Sequence, residues 1–237
     1  MTDALPPWDE VVATLEHVST ATLTTVLLKK GLRNVWMRNA RPIHGGVTRL
    51  VGRAFTLRFV PAREDLATPA SWASPTSTRA AIEAMPEGVI AVVDAAGVAD
   101  AGIFGDILCA RMGQRGVAAL VTDGPVRDLE GVLATSLPVW CRGAAAPPSV
   151  AGLTFVGWQQ PIGCGGVAVF PDDVIVADRD GAVLVPQALL AEVLAEAPEQ
   201  ERMEAWIMDE VARGAALPGL YPMNAETRAR YEAGRGR

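Results

Sequence analysis

Apolar residues recur along the chain at two different spacings. Apolar side chains three or four positions apart predict helices, whereas short unbroken or alternating apolar runs predict strands. The helical spacing predicts two helices within residues 7–31 and others at 79–85, 107–114, from 128 onward, at 187–213 and at 226–233. The strand pattern predicts strands at 52–60, 89–94, 117–121, 138–141, 153–158, 166–170, 174–177 and 182–185. Pro198 interrupts the pattern of 187–213 and predicts a division into two helices there.

The order of these elements indicates an α/β fold. Strands and helices alternate in the first part, and a run of short strands follows from residue 153 to residue 185. The chain has 237 residues, half of them hydrophobic, which suits one large core and makes a second domain unexpected. We therefore predict a single domain over residues 1–237, with its core at about 20–185 and helices plus a tail at 186–237.

Charge and hydropathy exclude some classes of partner. The chain carries 21 basic and 27 acidic residues, a formal net charge of −6, which argues against a surface that binds duplex nucleic acid. No apolar run is long enough to span a membrane, and the start of the chain, with Asp3, Asp9 and Glu10, lacks the features of a signal peptide. We expect a cytoplasmic protein that binds neither nucleic acid nor membrane.

The cysteines and histidines do not suggest a metal cluster. Cys109, Cys141 and Cys164 match neither a zinc spacing nor a disulfide framework, so buried free thiols are expected. His17 and His44 are too far apart in the sequence for a histidine cluster. His44 lies in a loop that could border a pocket, although an ordinary surface position is the favoured interpretation.

Charged side chains follow the predicted strands at 89–94 and 117–121. Gly102 and Gly105 form a turn before Asp106, and Arg127 and Asp128 open the next helical pattern. The ends of neighbouring parallel strands lie at one edge of an α/β sheet, where ligands bind. Each residue also has a simpler interpretation. Asp106 could cap a helix, Arg127 and Asp128 could be a surface pair, and Asp123, before a glycine, is interpreted as a turn residue.

Two aspartates and an arginine in one cleft favour a particular chemistry. Magnesium is commonly held through one or two carboxylates with water completing its shell. An adjacent arginine can bind a carboxylate through two parallel hydrogen bonds. Together these groups would suit a 2-oxo acid and would stabilise negative charge that grows on its keto oxygen.

These residues form part of a longer pattern. It consists of Gly102-x-x-Gly105-Asp106, Gly116, Asp123-Gly124-x-x-Arg127-Asp128 and a downstream segment, Pro161-x-x-x-x-Gly166-Val167-x-Val169-x-Pro171-x-Asp173-x-Ile175-x-Ala177-Asp178-x-Asp180-Gly181. Over about 150 residues the sequence resembles the RraA-like family, which includes class II pyruvate aldolases acting on 4-hydroxy-4-methyl-2-oxoglutarate and 4-carboxy-4-hydroxy-2-oxoadipate. The resemblance implies a β/β/α sandwich of the swivelling-domain type, assembled as trimers or hexamers.

The resemblance also implies roles for individual residues. Asp128 would ligate a divalent cation, Mg²⁺ or Mn²⁺, and Arg127 would bind the carboxylate and keto region of the substrate. Asp106 would hold a catalytic water, and the backbone of Gly105, Ile107 and Leu108 would meet the substrate carboxylate. A glutamate from the adjacent subunit would complete the site, with Glu204 as the best match and Glu201 as the second.

The predicted activity is metal-dependent cleavage of a 4-hydroxy-2-oxo acid to pyruvate and a second carbonyl compound, with oxaloacetate decarboxylation as a side activity. Two alternatives remain open. Some relatives are protein-binding inhibitors of ribonuclease E, and a lyase for another sugar acid or hydroxy acid would fit the same groups.

Other polar segments carry no assigned chemistry. The proline-punctuated stretch at 61–78 is interpreted either as a loop that contacts substrate or as an ordinary excursion, the latter being favoured. Asp172, Asp173, Asp178 and Asp180 invite a calcium interpretation, although turn chemistry explains them better. Asp172 stands where the resembled family usually has glycine, which leaves the conformation of that turn open.

Overall fold

The long strand β2 joins the two halves of the sheet. The computed structural model describes residues 6–46 and 48–234, so Asp3 lies outside the described residues. The strands are β1 (Arg41–Pro42), β2 (Leu50–Pro61), β3 (Ile90–Asp94), β4 (Ala119–Thr122), β5 (Val139–Cys141), β6 (Leu153–Trp158), β7 (Val174–Asp178) and β8 (Gly181–Val185). The helices are α1 (Trp8–Leu15), α2 (Thr20–Lys29), α3 (Thr78–Ala84), α4 (Asp106–Gln114), α5 (Leu129–Leu133), α6 (Leu190–Ala212) and α7 (Ala225–Gly234).

The strand order is β1-β5-β4-β3-β2-β7-β8, and β6 also pairs with β2. Residues 54–58 of β2 run parallel to β3, whereas residues 50–53 run antiparallel to β7. The carboxyl half of β2, residues 57–61, pairs antiparallel with β6 and contains a register shift between Arg58 and Phe59. One twelve-residue strand therefore connects a parallel α/β half with an antiparallel half, and the predicted α/β fold with helical terminal segments is confirmed.

Three apolar clusters surround this sheet. On one face, Phe55 and Leu57 of β2 pack with Ile82 of α3, Met112 of α4 and other residues of the α/β half. On the other face, alternate residues such as Ile90 and Val92 pack against the antiparallel half. A third cluster lies between β7, β8 and helices α1, α2 and α6. Because each fully buried aliphatic side chain contributes roughly 1.5–3 kcal/mol, burial on both faces is the main source of stability.

Two predicted elements at the carboxyl side are wrong. Residues 166–170 do not form a strand: a 3-10 turn spans Cys164–Gly166, and Val169 makes an isolated bridge with Ile162. Gly165 and Gly166 have φ values of 57° and 76°. A Cβ at Gly165 would lie 2.5 Å from the amide nitrogen of Arg38, so a close approach of two backbones replaces the strand.

Pro198 does not divide the carboxyl-terminal helical pattern. It lies inside the continuous helix α6. Contacts to α2 and its flanks lie on both sides of the proline: Lys30 Nζ bonds Glu196 Oε1 at 2.8 Å, and Lys29 Nζ bonds Gln200 Oε1 at 2.9 Å. Val193 and Ala197 of α6 also lie in the same buried cluster as Leu23 of α2. Because burying an aliphatic side chain contributes roughly 1.5–3 kcal/mol, this packing offsets the roughly 3 kcal/mol cost of an interior proline.

Asp173 and Asp178, in the β7–β8 region, accept hydrogen bonds from backbone amides. The amide of Phe170 donates to Asp173 Oδ2 at 2.8 Å, and Asp178 accepts from the amide and hydroxyl of Thr20 at 2.9 and 2.7 Å. Asp172 has φ 68°, in the left-handed region that glycine favours and aspartate tolerates. Aspartate at this position therefore adopts a backbone conformation that glycine favours.

All three cysteines are buried and free, as predicted. Burial, followed by the nearby Cys141 and Asp106, raises the pKa of the Cys109 thiol to about 12, so this thiol stays protonated at neutral pH. Of the helices within the described residues, none alone has the length and apolarity of a membrane span; α1 and α2 do so only jointly, across a bend of 108°.

Candidate active site

A cleft of about 300 Å³ opens where the chain leaves β3 and β4. The loop after β3 leads to α4 and the loop after β4 leads to α5, so both helices begin at this edge. The lining residues are Trp72, Thr78, Arg79, Gly102, Ile103, Gly105, Asp106, Ile107, Leu108, Arg127, Asp128, Pro148 and Ser149. Every substrate-binding and metal-binding residue named from the sequence is in this set, whereas Glu204 is not.

Two main-chain hydrogen bonds hold the loops before α4 and α5 side by side. The amide of Ile103 donates to Pro125 O at 3.0 Å, and the amide of Arg127 donates to Phe104 O at 2.9 Å. At Gly102 a Cβ would lie 2.7 Å from the Cβ of Arg127 and 2.8 Å from Ala145 O. Only glycine allows this approach. The motif glycine thereby places Arg127 beside the start of α4.

Asp106 is the first residue of α4 and does not occupy the capping position before the helix. The helix is preceded by Gly105, which has no capping side chain, and the amide of Ile107 donates to Asp106 Oδ1 at 2.7 Å. The next amide, of Leu108, finds no acceptor in the part of the chain that the structure describes. A free helical amide beside a carboxylate in a cleft suits an anionic or water ligand.

Asp128 has an unusual backbone conformation. Its φ and ψ are 52° and 48°, which is the left-handed region, and it directly precedes α5. Arg127 Nε lies 3.1 Å from Asp128 Oδ2, but the nitrogen is buried and lacks a hydrogen bond of good geometry. The two side chains are 36% and 45% exposed. Strained backbone at a partly open cleft is typical of functional sites.

The Asp128 carboxylate lies against Gly105, just before α4, and the Asp106 carboxylate lies against Gly131 of α5. A Cβ at Gly105 would lie 2.5 Å from Asp128 Oδ2, and a Cβ at Gly131 in α5 would lie 2.6 Å from Asp106 Oδ2. The starts of α4 and α5 therefore approach each other through two glycines, with a carboxylate over each. Sequence reasoning missed Gly131. A glycine inside a short helix, where it is unfavourable, was the signal that could have identified it.

We expect Gly105→Ala to disturb the cleft without unfolding the protein. Gly105 has φ −112°, which alanine also adopts, so the added methyl group mainly displaces the Asp128 carboxylate. A displacement of about 1 Å can cost roughly 100-fold in rate, whereas thermal stability should change little. Gly45→Ala is the matched control, because a Cβ there has no atom of the described residues within 4 Å. Equal turnover by both variants in steady-state assays would refute the proposed contact.

Asp123 has a larger role than the predicted turn. Its carboxylate is buried and accepts the amides of Ala95 at 2.8 Å and Gly165 at 3.1 Å. Burial raises the pKa of Asp123 above its usual value, although these two hydrogen bonds oppose the rise. Asp94 makes a similar bond to the amide of Gly163 at 3.1 Å. Both carboxylates tie the ends of β3 and β4 to the turn at 163–165.

Asp123→Ala should destabilise the fold. It leaves the buried amides of Ala95 and Gly165 without acceptors, and each such loss costs about 1–3 kcal/mol. We expect the free energy of unfolding in urea to fall by about 2–4 kcal/mol. The control is Asp100→Ala, at an exposed aspartate of the loop after β3. A loss no larger than that of the control would show that the two hydrogen bonds contribute little.

The carboxyl-terminal glutamates lie away from this cleft within their own chain. Thr22 Oγ1 donates to Glu204 Oε2 at 3.4 Å, and Gln200 Nε2 donates to Glu204 Oε1 at 2.6 Å. The amide of Ser19 donates to Glu201 Oε1 at 2.5 Å. Burial raises the pKa of Glu201, but hydrogen bonds from Ser19 and Thr22 outweigh it and hold the pKa below its usual value. The predicted role of a neighbouring subunit's glutamate stays a prediction.

His44 is not the surface residue that the sequence favoured. It is partly buried, and neither ring nitrogen has a hydrogen-bond partner among the described residues. It lines a separate cavity of about 180 Å³ with Thr48 and Ser136. Both ring nitrogens are buried by the tertiary structure, which a local sequence pattern cannot reveal.

Comparisons with known proteins identify relatives of this chain. A family model described as "RraA-like: Aldolase/RraA" matches residues 18–184. A Halalkalibacterium halodurans protein, named provisionally as a 4-hydroxy-4-methyl-2-oxoglutarate aldolase, is 36% identical over 124 residues, covering 52% of this chain and 58% of that protein. The 4-hydroxy-4-methyl-2-oxoglutarate aldolase of Thermus thermophilus is 30% identical over 144 residues, covering 60% of this chain and 79% of that protein. The match thus spans less than two thirds of the Halalkalibacterium relative.

A solved structure shares most of the fold. The crystal structure of Streptomyces coelicolor RraAS2, described as an unusual member of the RNase ES inhibitor RraA protein family, has a TM-score of 0.75 and 33% identity. The superposition covers 86% of this chain and 97% of that one. Relatives with this fold therefore include proteins named for catalysis and a protein named for inhibition.

Proposed function

Because the chain belongs to the RraA-like family, we propose that it is a divalent-metal-dependent lyase, an aldolase that cleaves a 4-hydroxy-2-oxo acid to pyruvate and a second carbonyl compound. The supporting observation is that Asp106, Arg127 and Asp128 line one cleft, with each carboxylate seated over a glycine of the opposite segment. The names of the Halalkalibacterium and Thermus relatives agree with this chemistry.

The residues present fit a magnesium ion that keeps most of its water. Within residues 6–46 and 48–234, no group of three or more His, Cys, Asp or Glu side chains is placed to hold a metal ion, so a closed site built from three such ligands does not fit. Asp128 offers a partly exposed carboxylate, and the absence of a Cβ at Gly105 leaves the space that this carboxylate occupies. Magnesium commonly binds through one or two carboxylates plus water and substrate. When bound, the cation would supply positive charge for a developing oxyanion.

The chain's own groups would position the substrate and move one proton. The Arg127 guanidinium would bind the carboxylate and keto oxygen of the 2-oxo acid, with the free amide of Leu108 available to the same anion. Asp106 would hold a water through which the proton of the C4 hydroxyl passes to the Asp106 carboxylate. The bond between C3 and C4 then breaks, giving the second carbonyl compound and the enolate of pyruvate, whose negative charge Arg127 would face. Return of the proton through the same water to C3 would release pyruvate. Loss of carbon dioxide from oxaloacetate gives the same enolate, so we expect oxaloacetate decarboxylation as a side activity.

The proposal includes an assembly of identical chains. Ile107, at the rim of the cleft, is 79% exposed, and Leu133 of the adjoining helix α5 is 41% exposed. A second copy that covers these apolar side chains would exclude water from the cleft and could bring Glu204 to it. A homotrimer or hexamer with the site at the interface is therefore part of the proposal.

The likeness to the Streptomyces protein favours a second candidate, a non-catalytic protein that inhibits an RNase E-type enzyme. One experiment separates the two. Purified protein is incubated with several 4-hydroxy-2-oxo acids and, separately, with hydroxy acids of other classes, each with added Mg²⁺ or with a chelator, and pyruvate is measured. Metal-dependent release supports the aldolase; release from a hydroxy acid of another class would indicate a different lyase. Absence of turnover, together with inhibition of purified RNase E, would overturn the proposal.

A further inference from the structure

The cleft extends past the three motif residues to a second wall. This wall consists of Trp72, Thr78, Arg79 and Ser149. Beyond it lies another cavity of about 310 Å³, which shares Trp72, Thr78 and Ser149 as lining residues. A water molecule occupies about 30 Å³. The cleft alone therefore has room for a ligand longer than pyruvate, and the tail of such a ligand would meet the second wall.

Arg79 is the distinctive residue of this wall. Its guanidinium carbon lies 4.9 Å from the centroid of the Trp72 indole ring. Across the described ranges of the chain, Arg79 has neither an ion pair nor a hydrogen bond to another side chain. The neighbouring cations differ, because Arg111 and Arg115 both pair with Glu83. Arg79 is thus an uncompensated positive charge at a cleft that already contains Arg127.

The stacking prepares Arg79 to bind an anion. A free arginine side chain loses about 2 kcal/mol of rotamer entropy when it becomes fixed. Contact with the indole restricts it beforehand. Because Arg79 has no ion pair or side-chain hydrogen bond among the described residues, the nitrogen–hydrogen groups along its edge stay available. A carboxylate matches that edge through two parallel hydrogen bonds.

We propose that Arg79, held over Trp72, binds a second carboxylate at the far end of the substrate and so determines specificity for dicarboxylic 4-hydroxy-2-oxo acids. The assignment rests on the proposed aldolase function, in which Arg127 takes the carboxylate next to the keto group. The two guanidiniums then hold opposite ends of one molecule. The segment at 61–78, which supplies Trp72, would thereby contact substrate, which was the less favoured interpretation of its sequence.

A binding experiment tests Arg79 independently of turnover. Affinity for 2-oxoglutarate and for 2-oxopentanoate, which has the same chain length and one carboxylate fewer, is measured by calorimetry with Mg²⁺ present. We expect Arg79→Gln to weaken 2-oxoglutarate binding by about 10- to 100-fold, the effect of a lost charged hydrogen bond, and to leave 2-oxopentanoate unchanged. Arg33→Gln, at an exposed arginine lining a different cavity, is the control. Equal weakening of both ligands, or none, would overturn the assignment.

Kinetics separate this inference from the proposed function. With 4-hydroxy-4-methyl-2-oxoglutarate, Arg79→Gln should raise KM by about 10- to 100-fold and change kcat little. With 4-hydroxy-2-oxopentanoate, both constants should match the wild type. Pyruvate release that is insensitive to Arg79 would refute the Arg79 assignment and leave the aldolase standing. If no acid releases pyruvate, the aldolase proposal fails, and the calorimetric contrast decides whether Arg79 binds a distal carboxylate.

Discussion

Asp128→Asn is expected to lower kcat for pyruvate release by about 1000-fold, the effect of removing roughly 4 kcal/mol of charge stabilisation. Asparagine keeps the size of aspartate and tolerates the left-handed backbone conformation, with φ 52°, found at this position. The fold should therefore persist. The variant lacks the negative charge that would hold a divalent cation opposite Arg127, and that loss is the reason for the expected effect.

Mn²⁺ binding gives a readout of this prediction that does not depend on turnover. Wild-type protein should bind Mn²⁺ in a paramagnetic resonance titration, and Asp128→Asn should bind it at least about 10-fold more weakly. Asp100→Asn removes an equal charge at an exposed position and should resemble the wild type in both assays. Unchanged Mn²⁺ affinity in Asp128→Asn would mean that another group holds the cation.

The sequence predicted the fold where local pattern and tertiary context agree. The apolar runs of β3 and β4 are buried on both faces, so continuous hydrophobicity was a sufficient signal. The hydrophobic pattern wrongly predicted a strand at residues 166–170, because Gly165 packs there against the backbone of Arg38. The predicted break at Pro198 was also wrong, because contacts between α2 and α6 preserve the helix. In both cases residues distant in the sequence decided the conformation.

The candidate site also contains residues that the sequence predicted and contacts that it did not. Asp106, Arg127 and Asp128 were identified because they follow strands that end at one edge of the sheet, and family resemblance supplied their roles. The seating of each carboxylate over Gly105 or Gly131 depends on how two loops approach, which no local pattern contains. Arg79 and Trp72 were missed for a related reason, since the segment that carries Trp72 shows no periodicity.

In the proposed reaction, Arg127 acts through the shape of its side chain as well as its charge. Its main chain is fixed by the bond from its amide to Phe104 O, and its Cβ is fixed by contact with Gly102, so a substitution beyond Cβ changes the cleft alone. The Nε atom is buried beside Asp128 Oδ2 without a hydrogen bond of good geometry. A planar anion that accepts two parallel hydrogen bonds would use donors that a single ammonium group cannot reproduce.

Arg127→Lys is therefore expected to reduce kcat/KM for pyruvate release by about 100- to 1000-fold, as for loss of one donor to a developing oxyanion. Lysine retains the positive charge, so a purely electrostatic role would predict a much smaller loss. The measurement is steady-state release of pyruvate at saturating Mg²⁺, with Arg33→Lys as the control at an exposed arginine remote from the cleft. If Arg127→Lys keeps kcat/KM within about threefold of the wild type, paired hydrogen bonding by Arg127 is excluded, because donor loss costs far more than this.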